Sequence, residues 1–97
     1  MADKVTVVAR IKAKDGLAGQ VKEALVALIE PTRAEPDCID YILHQSADDP
    51  HLFLFYENWT SKDALDAHLH KPHLQDFVAK ADEMLAEPLD VTLWDEV

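Results

Sequence analysis

The chain has only two glycines, Gly16 and Gly19, and one cysteine, Cys38, in 97 residues. Neither glycine belongs to a GxGxxG or Walker pattern, which removes the usual flavin, nicotinamide and nucleotide fingerprints. Cys38 has no second cysteine to pair with, so an internal disulfide is excluded. With no CxxC and no Cys/His pairing, it reads as a core or loop residue rather than a thiol nucleophile. Positive charge is also scarce: 9 Lys and Arg stand against 19 Asp and Glu, a net charge of -10. Such a chain repels phosphate backbones, which argues against nucleic acid as a partner. It offers no basic amphipathic face to a membrane surface. No apolar run approaches the roughly 18 residues of a membrane helix. No positively charged start with an apolar run follows Met1, so no secretory leader is expected, and the cytoplasm is the expected compartment.

What is present is a normal globular complement, 48% hydrophobic. The length allows one domain, residues 1–97, because a second would be too small to hold its own core. So small a domain buries a modest share of its surface, and oligomerisation is a common remedy.

Lys4 to Lys14 alternates, with Val5, Val7, Ala9 and Ile11 on one side, and this predicts a strand ended by Asp15-Gly16. From Leu17 the period changes. Leu17, Val21, Ala24, Leu25 and Leu28 recur at spacings of three and four, as in an amphipathic helix that Pro31 ends or kinks. Arg33, close behind, reads as solvated surface. Cys38 to Ser46 is a second strand, with Ile39, Tyr41 and Leu43 on one face. Ala47-Asp48-Asp49-Pro50 is a turn by composition. Leu52 to Trp59 is a third strand, apolar on both faces, so a hairpin results.

Thr60 or Ser61 caps the next helix, with Ala64, Leu65, His68 and Leu69 as its inner stripe. Pro72 breaks it and begins another, with Leu74, Phe77, Val78, Ala81 and Leu85 inward. Pro88 stops that helix, and Leu89 to Val97 alternates as a last strand. The order β-α-β-β-α-α-β predicts an α+β fold: a four-stranded antiparallel sheet with helices on one face. Val8, Ile42, Leu54 and Tyr56 would lie on the other face, which nothing in the chain covers. Two such sheets could pack across a twofold axis into a homodimer.

The third strand also suggests where chemistry could sit. Phe53, Phe55, Glu57 and Trp59 share one side; facing the helices, they would meet His68 and Leu69 across a mostly apolar cleft with sparse polar groups. His68 fits a general base or proton donor. From spacing alone, a core histidine with a satisfied hydrogen bond is the more ordinary reading. His73, in the first turn after Pro72, fits a helix-start tie or a catalytic role, and His70 falls off the stripe. Glu57 requires a partner such as Arg, His or an indole N–H if buried. Trp59 offers one donor and a large apolar plate. Metal binding finds no support: His68, His70 and His73 are not an i, i+4 set, Pro72 interrupts them, and there is no HExxH.

The segment Tyr56-Glu57-Asn58-Trp59, followed by Ala64-Leu65, Ala67-His68-Leu69 and Pro72-His73, resembles the antibiotic biosynthesis monooxygenase domain, in the style of the small quinol monooxygenases. The upstream run Arg33 to Cys38, then Tyr41 and Ser46 to Pro50, is similar to that family too. Asp37 departs, where many relatives have glycine. The resemblance implies a dimeric α+β barrel of ferredoxin-like subunits. It also implies oxidation of a small phenolic or quinol-like aromatic by O2 with no metal, flavin or other cofactor. His68 would assist proton transfer, Trp59 and Tyr41 would donate hydrogen bonds, and Glu57 would orient a partner. Tyr41, Phe53, Phe55 and His73 would contact substrate. Haem-degrading members use an Asn, a Trp and a His where this chain has Ala9, His68 and Val78, so haem degradation does not fit. A ligand-binding dimer without catalysis, or an isomerase of a small signalling metabolite, would use the same fold.

Overall fold

The computed structural model describes residues 4–97, so the reading made at Met1 lies outside the described residues. The first alternating run forms β1 (Val5–Lys12), with Val7, Ala9 and Ile11 buried. The turn after it depends on Gly16, whose φ of 82° is one that a side chain disfavours.

Helix α1 (Ala18–Arg33) follows, burying Val21, Leu25, Leu28 and Thr32. It runs through Pro31 rather than stopping there. Pro31 lies in the last turn, where the chain closes on Glu30 and Thr32 carbonyls through the Ala34 and Glu35 amides, at 3.1 and 3.0 Å. Arg33 is exposed as expected, but its Nε–H donates to the Tyr41 carbonyl at 3.1 Å, tying the helix end to the sheet.

β2 (Cys38–Gln45) and β3 (Leu52–Trp59) form the expected hairpin. The Ser46 hydroxyl accepts from the amides of Asp48 and Asp49, and Asp49 accepts from that of His51, so the turn is held by side chains. One expectation fails in β2. A bulge between Cys38 and Asp40 sets Cys38 opposite Trp59 and Asp40 opposite Asn58. Ile39 becomes the extra residue and is 51% exposed instead of facing inward.

Ser61, not Thr60, caps α2 (Lys62–Leu69); its hydroxyl accepts from the Ala64 amide at 3.2 Å. Pro72 opens α3 (Pro72–Met84) at its first turn. Leu74, Phe77 and Met84 are buried there, whereas Val78, expected inward, is 47% exposed. At about 100° per residue, Val78 falls some 80° round from the centre of the stripe set by Leu74, Phe77, Ala81 and Met84. β4 (Asp90–Trp94) completes the sheet at its edge.

The strand order is β2-β3-β1-β4, each neighbour antiparallel, the ferredoxin-like arrangement. The core lies between one sheet face and the three helices. Val7, Ala9, Ile11, Tyr41, Phe53, Phe55 and Trp59 meet Leu25, Leu28, Leu65, Leu74 and Phe77 there. On the opposite face, register aligns Ile42, Tyr56, Val8 and Thr92 in a row across all four strands. No helix among the described residues is long and apolar enough to cross a membrane.

Candidate functional site

Alternation along β3 puts Phe55, Glu57 and Trp59 on the core side, at 2%, 4% and 0% exposure. Two residues apart on one face, Glu57 and Trp59 reach each other, and the indole N–H donates to Glu57 Oε1 at 2.9 Å. The partner required by a buried carboxyl is thus the indole. Across the hairpin, Tyr41 is in register with Glu57, and its ring stacks on Phe55 at 4.2 Å between centroids.

Helix α2 brings His68 to this wall. It stands one turn beyond Ala64 and Leu65, on the same face, and all three are buried. Its ring packs on Trp59 at 4.5 Å and meets the edge of Tyr41 at 5.7 Å. Its Nδ1 lies 2.8 Å from Oε2 of Glu35, just beyond the end of α1. The same oxygen lies 3.1 Å from Nε2 of His73, the second residue of α3. A carboxylate oxygen only accepts, so each facing ring nitrogen carries its proton. That leaves Nε2 as the basic nitrogen of His68.

Burial decides the electrostatics. It holds His68 below its usual proton affinity, against the bond and charge of Glu35, which pull the other way. It pushes Glu57 up to about 7, opposed by the Trp59 bond and reinforced by the negative charge of Glu35. Tyr41 is driven far above the usual phenol range by burial and by the charge of Glu57. Near neutrality the site therefore offers an uncharged imidazole, a carboxyl in mid-titration and a protonated phenol.

Between sheet and helices lies a narrow cleft, about 40 Å³ in volume, that opens to solvent at its mouth. Val7, Leu28, Leu65, Phe77 and Val91 contribute to its apolar lining. Its polar groups are Tyr41, Glu57 and His68, and no Lys or Arg among the described residues lines it. Such a lining suits a mostly apolar, uncharged ligand.

The sequence model of antibiotic biosynthesis monooxygenases matches residues 4–80. The chain belongs to that family. Among curated relatives, "Putative monooxygenase Rv0793" of Mycobacterium tuberculosis is 39% identical over 93 residues, covering 96% of this chain and 91% of that protein. An uncharacterised protein of Synechocystis is 35% identical over 96 residues, 95% of this chain; the chain spans 63% of that relative's length. Among solved structures, PA3566 of Pseudomonas aeruginosa superposes with a TM-score of 0.94 at 32% identity, covering all of this chain and 97% of that one. The Rv0793 structure gives 0.91 at 34%, covering 97% and 95%.

Within this family fold the expected residues separate. His68, Glu57, Tyr41 and Phe55 line the cleft together. Trp59 does not: it is sealed behind His68 and its N–H is committed to Glu57, so it shapes the site from behind. Phe53 is buried in the core, away from the cleft lining. His73 is separated from the cleft by Glu35 and faces a surface groove with Gln20, Asp76 and Lys80. His70 is exposed, bonded to the Asp66 carbonyl.

Glu35 escaped the sequence reading. It was legible only as part of the turn run Arg33 to Cys38, and no periodicity marks it. The fold also gathers two histidines that spacing kept apart, since His68 and His73 meet on Glu35 across the Pro72 break. Their ligand atoms and that of Glu35 lie within 4.8 Å of one another, a two-imidazole, one-carboxylate set that a transition metal could use. In the structure these donors are engaged with each other through hydrogen bonds.

Proposed function

We propose that this protein is a cofactor-independent monooxygenase acting on a small phenolic or quinol-like aromatic. The observation that carries this reading is an uncharged His68, oriented by Glu35 and set with Glu57 and Tyr41 at one end of an otherwise apolar cleft. A phenol bound there would lose its proton to His68 Nε2. The electron-rich phenolate then reduces O2 itself. One oxygen atom enters the ring carbon as a second carbonyl, the other leaves as water, and the phenol becomes a quinone. The protein supplies desolvation, a base, and hydrogen-bond donors for the developing anions.

The proposed assembly is a homodimer closed through the open sheet face. The support is the row Ile42, Tyr56, Val8 and Thr92 and the family's shared fold. The proposed compartment is the cytoplasm, in keeping with a sole cysteine, Cys38, left as a free thiol.

The test is oxygen uptake against a panel of phenols, hydroquinones and naphthoquinols, with quinone product identified by mass. At least one should be consumed well above the blank, and His68→Ala should lower its rate by about 10²–10⁴-fold. Uptake no faster than blank for every member, or an undiminished His68→Ala, overturns the enzyme reading in favour of ligand binding alone.

A further inference from the structure

Conversion of the phenol to a quinone takes one proton from its hydroxyl and one from its ring carbon, and the water formed takes up both. A single base in the cleft therefore has to pass a proton on and take one back in each turnover. Of the three polar groups lining the cleft, two lead nowhere. Glu57 is bonded to the Trp59 indole, which can donate but not accept. Burial holds the Tyr41 proton in place. His68 is different, because its second nitrogen continues to Glu35, and Glu35 continues to His73.

We propose that Glu35 and His73 form a proton path from His68 to solvent, with His73 as the outer shuttle. This rests on the reading of His68 as the base. Side-chain exposure rises along the series, 3% at His68, 8% at Glu35 and 21% at His73, so the path runs from the interior to the surface. Both steps meet at one oxygen, Oε2 of Glu35, at 2.8 and 3.1 Å. The charged groups bordering it are Asp37 and Lys71 around Glu35, and Asp76 and Lys80 around His73.

The transfers balance as follows. His68 Nε2 takes the substrate proton, and its Nδ1 proton passes to Glu35. When His73 carries its own proton on Nδ1, its Nε2 accepts the proton from Glu35, and the Nδ1 proton goes to water. His73 is then left with its proton on Nε2, the state that donates to Glu35. When the second oxygen leaves as water the path runs inward. Water protonates His73 Nδ1, the Nε2 proton of His73 passes through Glu35 to His68 Nδ1, and the His68 Nε2 proton goes to the leaving oxygen. No net proton is released and each residue is restored.

His73→Gln separates this role from a structural one, because glutamine can still donate to Glu35 but cannot carry a proton. The first measurement needs no substrate: the exchange of the His68 Nδ1 proton with water, by NMR on 15N-histidine protein. Exchange should slow about tenfold or more in His73→Gln, while the ring stays bonded to Glu35. The second uses a substrate from the oxygen-uptake panel. His73→Gln should lower kcat about tenfold in dilute buffer with KM unchanged, and added imidazole should restore it. Should His73→Gln fold poorly, His73→Ala with and without imidazole reads the same quantities. Equal exchange rates in wild type and variant overturn the path, whatever the catalytic result. If no panel member is oxidised, the exchange measurement still decides it, so failure of the path and failure of the monooxygenase reading are distinguishable.

Discussion

Nδ1 of His68 lies 2.8 Å from Oε2 of Glu35, a contact between residues 33 apart in the chain. It couples the end of α1 to the end of α2, and it fixes which nitrogen of His68 is free. The same carboxylate raises the proton affinity of His68 against the burial that lowers it.

Replacing Glu35 by Gln should therefore do two things. Two imidazole N–H groups lose a charged acceptor, and bonds to charged groups contribute about 1.5–3 kcal/mol each. Glutamine recovers part of this, so a net loss of about 2 kcal/mol in urea unfolding is expected. His68 should also titrate lower than in the wild type, since the group that raises its affinity is gone. An unchanged His68 titration by NMR would show that Glu35 does not act on it in solution.

Glu57 predicts a stability slope. Burial raises its folded value to about 7 from 4.5. Between those values the folded state holds a proton that the unfolded state has released. Stability is then fully present below pH 4.5 and is lost as pH rises through about 7. The loss is on the order of 3 kcal/mol, from about 1.4 kcal/mol per unit. His68 works the other way. Its folded value lies below the unfolded one, so its contribution is lost as pH falls through that lowered value. The two slopes overlap, and Glu57→Gln resolves them. Urea unfolding of wild type should weaken from pH 5 to pH 8 relative to the variant, in which the Glu57 slope is absent. Parallel curves would mean that Glu57 titrates normally.

Much of this was legible in the chain because it is local. Strict alternation marked Val7, Ala9 and Ile11, and the same period put Phe55, Glu57 and Trp59 on one wall. The three-four spacing placed His68 beside Leu65. What escaped is what local period cannot carry. A single inserted residue turned Ile39 outward. The phase of α3 turned Val78 outward and Met84 inward. Glu35 became a site residue only when the fold brought residues 33 and 38 positions away onto one oxygen. Trp59 lost its expected aim into the cleft because Glu57, two residues earlier, takes its only donor.

The cap of α2 has a measurable consequence for the site. An isolated helix of eight residues is marginal in water, and its first turn relies on outside acceptors. Ser61 supplies one to the Ala64 amide. Ser61→Ala should cost about 1 kcal/mol and Ser61→Asp much less, since Asp keeps the acceptor and suits the helix dipole. Amide exchange across Lys62–Leu69 should quicken in the alanine variant, and with it the mobility of His68. Equal stability of all three would remove the cap from the account.

The open sheet face carries the last prediction. Ile42, Tyr56 and Val8 lie side by side across β2, β3 and β1, with Ile42 39% and Tyr56 38% exposed. Beside them runs a polar row. The Thr6 hydroxyl donates to Asn58 Oδ1 at 2.6 Å, and Asn58 donates to Asp40 at 3.0 Å. Asn58 is thereby satisfied within its own chain, although it is only 2% exposed. The row thus presents few unmet donors, and the apolar row next to it is free to meet its symmetry mate. Burying a large apolar side chain whole contributes about 1.5–3 kcal/mol. Ile42 and Tyr56 have about two fifths of their surface left to bury, so each adds about 1 kcal/mol, and a twofold axis counts every contact twice. Sedimentation at micromolar concentration should give twice the 10.9 kDa chain mass. Val8→Glu, which sets a charge in the middle of that row, should give the single-chain mass with the helices intact by circular dichroism. A wild type that sediments as a monomer would sink the two-sheet assembly. A Val8→Glu dimer as tight as wild type would move the interface to another face.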